Sequence, residues 1–434
     1  MNLNLGDKIS GGIPNGWLVC RWSRVIEAIK DGTHGTFART TEGMPLLSAK
    51  NVQNGSLEIG DVESLISFQD YEQIVANGFP KKGDLLLTIV GSIGRACVYT
   101  EDIPHAFQRS VCFIRLAENN SPRFFYYQTQ AKFFQEQLVN RSKSAAQAGV
   151  YMGDVAACDV LVPSLPEQTA IAAFLDRETG KIDALVEEQK RLIELLKEKR
   201  QAVISHAVTK GLNLGAPMKD TDIEWLGDVP EHWEVIRIGN LFREVSEQGS
   251  DELPILSVSI HDGVSDKELD PDELDRKVTR SEDRSKYKSV QPGDLVYNMM
   301  RAWQGGFGTV RTDGMVSPAY VVARPSIDLE TGFIENLLRT PNAVEEMRGR
   351  SRGVTDFRLR LYWDEFKNIR LALPPLAEQE QIIERISAVD EEAQRLSETA
   401  QRSIALLEER RAALVSAAVT GKIDVRSLVE VEAA

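Results

Sequence analysis

Apolar residues along this chain alternate between two spacings. From 1 to 160 they gather in short runs bounded by glycine and polar residues, as in Asp84–Val90 and Val111–Leu116. Such runs predict β-strands, and the stretch near Arg123–Val139 predicts a helix. From 161 to 212 the spacing becomes three-then-four, through Ile182, Leu185, Gln189, Leu192, Leu196 and Val203. Good helix formers (Ala, Leu, Glu, Lys, Gln, Arg) fill the positions between. The short runs return over 213–372, with strands predicted at Asp294–Met299 and Ala319–Ala323 and a helix near Phe333–Met347. The helical spacing returns over 373–434, through Ala393, Leu396, Ala400, Leu407 and Leu414. Each helical region predicts a coiled-coil seam of about three heptads. Gln189 and Lys199 interrupt the first seam, and Thr179-Gly180 predicts a break in its helix. The longest apolar run, around Leu85–Val90, is strand-sized and far short of the ~18 residues of a membrane span.

The alternation reflects an internal repeat. Pro163–Thr209 aligns without a gap on Pro374–Thr420, 211 positions later, and eighteen of those 47 positions are identical. Upstream marks recur in the same order: Pro14-x-x-Trp17 as Pro230-x-x-Trp233, Pro45-Leu46-Leu47-Ser48 as Pro254-Ile255-Leu256-Ser257, Gly83-Asp84-Leu85 as Gly293-Asp294-Leu295, and Tyr151 as Tyr362. A lone amphipathic helix of this length cannot bury its own stripe. Two copies in one chain predict that the helices pack on each other, antiparallel. About thirty residues of helix reach ~45 Å, more than the ~34–36 Å of one DNA turn. A stiff spacer with a similar reader at each end suits recognition of two separated sites on one long object.

These features carry a family resemblance. The chain resembles the specificity (S) subunit of Type I restriction-modification systems. The marks are Pro166-Glu167-Gln168 with the helix that follows to Leu212, the connector EWLGDVPEHW (Glu224–Trp233), and LPPLAEQ (Leu373–Gln379) with a helix ending AVTGKID. The resemblance spans essentially the whole chain. It implies an α+β fold with an internal pseudo-twofold repeat. Two similar mixed α/β target recognition domains (1–160 and 213–372) would be separated by an antiparallel coiled coil of two long helices (161–212, and 373–434 with a tail). It implies a non-catalytic, sequence-specific DNA-binding subunit that reads a bipartite target in double-stranded DNA. Two methyltransferase subunits would dock on the helices, with restriction/translocase subunits joining them. S-adenosylmethionine, ATP and magnesium would sit on those partners and no cofactor on this chain. Glu167, Gln168, Glu378 and Gln379 are the expected partner-binding residues. A charge placed at Leu196 or Leu407 is expected to disturb the helix pair or the docking.

Charge bears on DNA binding. The net charge is −14, from 51 basic and 65 acidic residues. It is spread unevenly: −1 over 1–160, 0 over 161–212, −8 over 213–372 and −5 over 373–434. Net charge does not fix the local field, and phosphate contacts need only a basic face. Basic loops occupy equivalent places before the last strand of each mixed region. The first has Arg141, Lys143 and Gln147; the second has Arg348, Arg350, Arg352, Arg358 and Arg360. Arg reads guanine through two bonds and Gln reads adenine. A second pair of loops follows the Gly-Asp-Leu strands, with Ser92 and Arg95 in one and Arg301, Trp303 and Gln304 in the other. Each loop also fits a solvated charged surface, and Trp303 fits core packing as well as a base-contacting edge.

Other chemistries are excluded by what the motifs lack. Thr420-Gly421-Lys422 has no upstream glycine cradle for ATP, and no strand–GxGxxG–helix offers a methyl-donor site. Pro271-Asp272 with Asp275-x-Lys277 imitates a nuclease motif inside an acidic loop. Five histidines show no ligand spacing. The four cysteines (Cys20, Cys97, Cys112, Cys158) form no CxxC and read as reduced core thiols. The opening MNLNLGDKIS lacks the layout of a signal peptide, so a cytoplasmic location is expected. The rival reading is a coiled-coil adaptor that touches no DNA, against which the paired arginine loops speak.

Overall fold

The strand-forming region of each copy folds into a four-stranded antiparallel sheet, and the two sheets have the same order. A computed structural model describes residues 12–142, 148–250, 252–260, 263–268, 286–353 and 359–425. In the first copy the order is Ile26–Asp31, Val111–Leu116, Leu85–Thr88, Ala96–Val98. In the second it is Phe242–Val245, Tyr320–Pro325, Leu295–Asn298, Phe307–Thr309. A separate strand pair accompanies each: Leu18–Arg21 with Asp159–Val162, and Glu234–Arg237 with Arg370–Leu373. Elsewhere the copies diverge. The first adds a three-stranded sheet (Leu65–Ile66, Met44–Leu47, Ala106–Phe107) and the helix Phe68–Ala76.

The Gly-Asp-Leu mark is a clamp between strands. Gly83 and Gly293 turn the chain at φ +94° and +89°, where a side chain would be strained. The next residue is a buried carboxylate. Asp84 accepts two bonds from Arg115 (2.9 and 2.8 Å) and one from the Lys81 amide (2.8 Å). Asp294 accepts two from Arg324 (2.9 and 3.0 Å) and one from the Gln291 amide (3.0 Å). Losing Asp84 would leave the partly exposed Arg115 without its carboxylate, and losing Asp294 would leave Arg324 with Glu247 alone.

The predicted helix near Arg123–Val139 is two helices, Pro122–Gln130 and Lys132–Arg141, with extended Ala131 between them. The one near Phe333–Met347 is also two, Thr331–Leu338 and Pro341–Arg350. There Pro341 accounts for the break, since proline forces the preceding residue out of helical conformation.

The long helices run unbroken over Leu165–Lys210 and Leu376–Val419. The break predicted at Thr179-Gly180 does not occur. Thr179 is buried, and its hydroxyl folds back on the Leu175 carbonyl (2.7 Å). One glycine costs only ~1 kcal/mol against alanine in a helix held by packing.

Two compact units result: Met1–Lys190 with Ala400–Ala434, and Arg191–Thr399. In the first, Trp22, Phe124, Phe125 and Phe134 share a core with Ile171 and Leu175 of the first long helix and Val415, Ala418 and Val419 of the second. In the second, Trp233, Phe333 and Phe366 share a core with Ile204, Ala207 and Val208 of the first long helix and Ile382 and Ile386 of the second. Within each unit the helix segments run antiparallel. Asp183 meets Arg411 (2.8 Å) in the first unit, and Arg200 meets Asp390 (2.6 Å) in the second. The α+β class with an antiparallel pair of long helices is therefore as the sequence implied.

Each long helix ends on the other copy's Pro-x-x-Trp mark. Gly211 (φ +76°) lies against Pro230 and Trp233, and Gly421 (φ +72°) against Pro14 and Trp17. A Cβ at Gly421 would stand 2.2 Å from the Pro14 ring.

Candidate nucleic-acid interface

In each unit the two loops singled out in the sequence lie side by side. In the first, Leu85–Thr88 leads into the turn Gly91–Arg95, shaped by Gly91 and Gly94 at φ +78° and +93°. The Thr88 hydroxyl donates to the Ser92 carbonyl and accepts the Arg95 amide (3.0 Å). The segment before Tyr151 runs alongside: the Val150 amide donates to the Ile89 carbonyl (2.8 Å) and the Gly91 amide to the Ala148 carbonyl (3.3 Å). In the second unit the Leu361 amide donates to the Met299 carbonyl (2.9 Å), the same bond at the same place in the repeat. It joins the turn Met300–Gly305 to the segment before Tyr362. Each unit thus carries a composite lip of two loops.

The second lip is arginine-rich. Arg352 and Arg360 pair backbone to backbone (2.9 and 3.0 Å). Both are exposed and line a cleft of about 840 Å³ with Met300, Tyr362, Asp364 and Glu365. The Trp303 indole N–H donates to the Met300 carbonyl (3.1 Å), and the Arg348 guanidinium lies 5.7 Å from the Trp303 ring centre. Gln304 is exposed beside them. Carboxylates stand against the arginines: Glu345 by Arg348 (3.8 Å), Glu346 by Arg350 (2.5 Å), and Glu365 in close contact with Arg352.

An exposed two-loop lip repeated in two units, arginine-rich and concave in the second, is apt for nucleic acid, and the comparisons with known proteins agree. Residues 15–195 match the family described as Type I restriction modification DNA specificity domain. The EcoBI specificity subunit of Escherichia coli is 23% identical over 93% of this chain and 86% of its own length. The EcoKI specificity subunit of Escherichia coli K12 is 20% identical over 95% and 90%. The HsdS subunit of Thermoanaerobacter tengcongensis shares the fold with a TM-score of 0.53, at 15% identity over 96% of this chain and all of that one. A chain from a structure of a Type I restriction-modification complex does so at 0.67, with 16% identity over 95% and 99%. Over nearly its whole length the chain is similar to Type I specificity subunits. The matched domain, over residues 15–195, is one described by DNA specificity.

Within this chain the expected site residues divide. Ser92, Gln304, Arg348, Arg352 and Arg360 are exposed on the lips, and Arg301, Trp303 and Arg350 are half-buried there. Arg95 points inward and donates to the Gln53 side chain (3.0 Å) and the Ala49 carbonyl (2.8 Å). Arg141 donates to the Ala157 carbonyl (3.0 Å). Both therefore brace the first lip from behind. Lys143, Gln147 and Arg358 lie outside the described residues.

Gln168 and Gln379, expected to touch a partner, are buried at the roots of the long helices. The Gln168 amide accepts from the Ser121 N–H (2.8 Å) and donates to the Pro163 carbonyl (3.0 Å). Gln379 does the same with the Glu330 N–H (3.0 Å) and the Pro374 carbonyl (2.8 Å). With both ends of each amide used internally, these two side chains position the helices. Glu167 caps its helix through Ser164 (2.9 Å). Pro375 replaces that serine in the second copy, and Glu378 instead accepts from His232 (2.7 Å) and the Trp233 indole (3.2 Å).

Exposed Tyr151 and Tyr362, Met300, and the carboxylates Glu346 and Glu365 are lip residues that the sequence reading did not select. The Tyr151–Tyr362 match was the available signal for the first pair. All four cysteines are free; burial pushes the Cys158 thiol up to about 11 and the Cys97 thiol up to about 12, so both stay protonated at neutral pH. Among the described residues no His/Cys/Asp/Glu group could hold a metal, and no helix is long and apolar enough to cross a membrane.

Proposed function

We propose that the mixed regions, 1–160 and 213–372, each read one half of a bipartite DNA target through their composite lips. The observation that carries this reading is the repeated bond, Val150 to Ile89 and Leu361 to Met299, which joins the same two loops in both copies. The frame is common while the loop sequences differ, as two readers of different half-sites require. Exposed Arg352 and Arg360 supply bidentate donors suited to guanine edges, each good pair being worth roughly 1–3 kcal/mol of discrimination.

The long helices dock two methyltransferase subunits, and restriction/translocase subunits join through them; S-adenosylmethionine, ATP and magnesium belong to those partners. Repeat-related leucines support two such sites. Leu185 and Leu396 are 45% and 40% exposed, and Leu195 and Leu406 are 49% and 66% exposed. The complex works in the cytoplasm, where its DNA is.

Exchange of residues 1–160 for the same region of a relative tests the reading. Methylome sequencing should show one half of the methylated target changed and the other retained. A change in both halves, or in neither, would overturn it.

A further inference from the structure

Three arginines of the second lip, Arg348, Arg350 and Arg352, are not presented bare. Arg352, which lines the cleft, and half-buried Arg350 each hold a carboxylate of their own unit, Glu365 and Glu346. These pairs differ from the clamp at Asp294. Asp294 is 1% exposed at its side chain and supports the sheet, whereas the Arg352 side chain is 70% exposed and that of Glu365 27%. An ion pair this wet adds little to folding. What it does control is the guanidinium. Arg352 donates to Glu365 with the same group that would donate to a phosphate or a guanine edge. The first lip has no such arrangement around its described arginines: Arg95 and Arg141 donate to neutral oxygens.

We propose that Glu365 is a specificity-setting residue of the second lip, holding Arg352 so that only a matching DNA site takes the arginine from it. The proposal rests on the DNA-reading role of the lip. A backbone phosphate offers Arg352 one anion in exchange for another, with no net gain in charge pairing. Glu365 also repels the phosphate that approaches. A correct half-site adds base-edge bonds and the contacts of the neighbouring loop, which tip the exchange. Discrimination thus comes from penalising the wrong duplex as well as favouring the right one.

The test uses the full chain copurified with its methyltransferase partner. Binding to a random-sequence duplex is measured by fluorescence anisotropy over a salt series for the unaltered protein, Glu365→Gln, Arg352→Ala and the double variant. Glu365→Gln should tighten random-duplex binding up to about five-fold, the span of an exposed ion pair. It should also steepen the log–log salt slope by about 0.9, one added phosphate contact. Both gains should vanish in the Arg352→Ala background. Glu365→Ala, checked by thermal melting, should behave alike and guards against a folding defect of the first variant. An equal gain with Arg352 absent would mean that only bulk charge has changed and would overturn the proposal, as would no gain at all. If no form of the complex binds duplex, the DNA-reading role of the lip falls, and this inference with it.

Discussion

His105 is buried beside Tyr99, its Nδ1 2.7 Å from the phenol oxygen. Burial, partly opposed by Glu101, lowers its pKa below the ordinary value near 6.5. The unfolded chain therefore takes up this proton first as pH falls. The stability tied to neutral His105 is complete above about pH 6.5 and is lost as pH drops through the window below it. Melting of the protein should shift downward between pH 7 and pH 5, and His105→Gln should flatten that part of the curve; an unchanged slope would remove His105 as its source. At the same scale, Gln168→Ala strands the Ser121 N–H and the Pro163 carbonyl. It should cost about 2–6 kcal/mol, at ~1–3 for each buried group left unpaired, read by denaturant unfolding. The repeat marked Gln168 and Gln379 as significant. It could not say that both amides face inward, because identity between copies records a shared requirement without its direction.

Strands were the most legible elements. Val111–Leu116 has the same bounds in sequence and structure, and Asp84–Val90 shrinks only to Leu85–Thr88. Their apolar runs are buried almost throughout, so pattern and packing agree. The helix break at Thr340-Pro341 was visible in the proline itself, while the one at Ala131 has no sequence mark; there the Gln135 side chain ties the Thr129 carbonyl to the Gly94 carbonyl of the neighbouring turn. The lips were half legible. Their basic residues stand out in the sequence, but Glu365 lies beyond the loop and reaches Arg352 only through the fold. The turn glycines carry their own prediction. Gly421→Ala places a side chain at positive φ and against Pro14, and should destabilise the first unit by more than about 1 kcal/mol. Gly349, with open space around it, should tolerate alanine within about 0.5 kcal/mol. Thermal melting of the two variants compares them directly.

For the whole molecule, an acid excess is compatible with the proposed DNA recognition because the charge is partitioned. Residues 213–372 hold a net −8 and also the arginine lip. Salt should accordingly weaken binding less steeply than the number of lip arginines suggests, since several are already paired. The exposed leucines carry the proposed docking at this scale. Leu195→Glu with Leu406→Glu should abolish copurification with the methyltransferase while leaving the melting temperature of the chain unchanged; retained copurification would move the docking surface elsewhere. The division into units also bears on synthesis. The second unit is one continuous stretch, Arg191–Thr399, and has all its parts as soon as that stretch leaves the ribosome. The first unit waits for Val415, Ala418 and Val419 to cover Trp22 and the phenylalanines around it. The half of the protein translated first is therefore the last to mature. A ribosome that stalls within the final helix releases a chain with its earlier apolar heart uncovered, a natural substrate for chaperones and proteases.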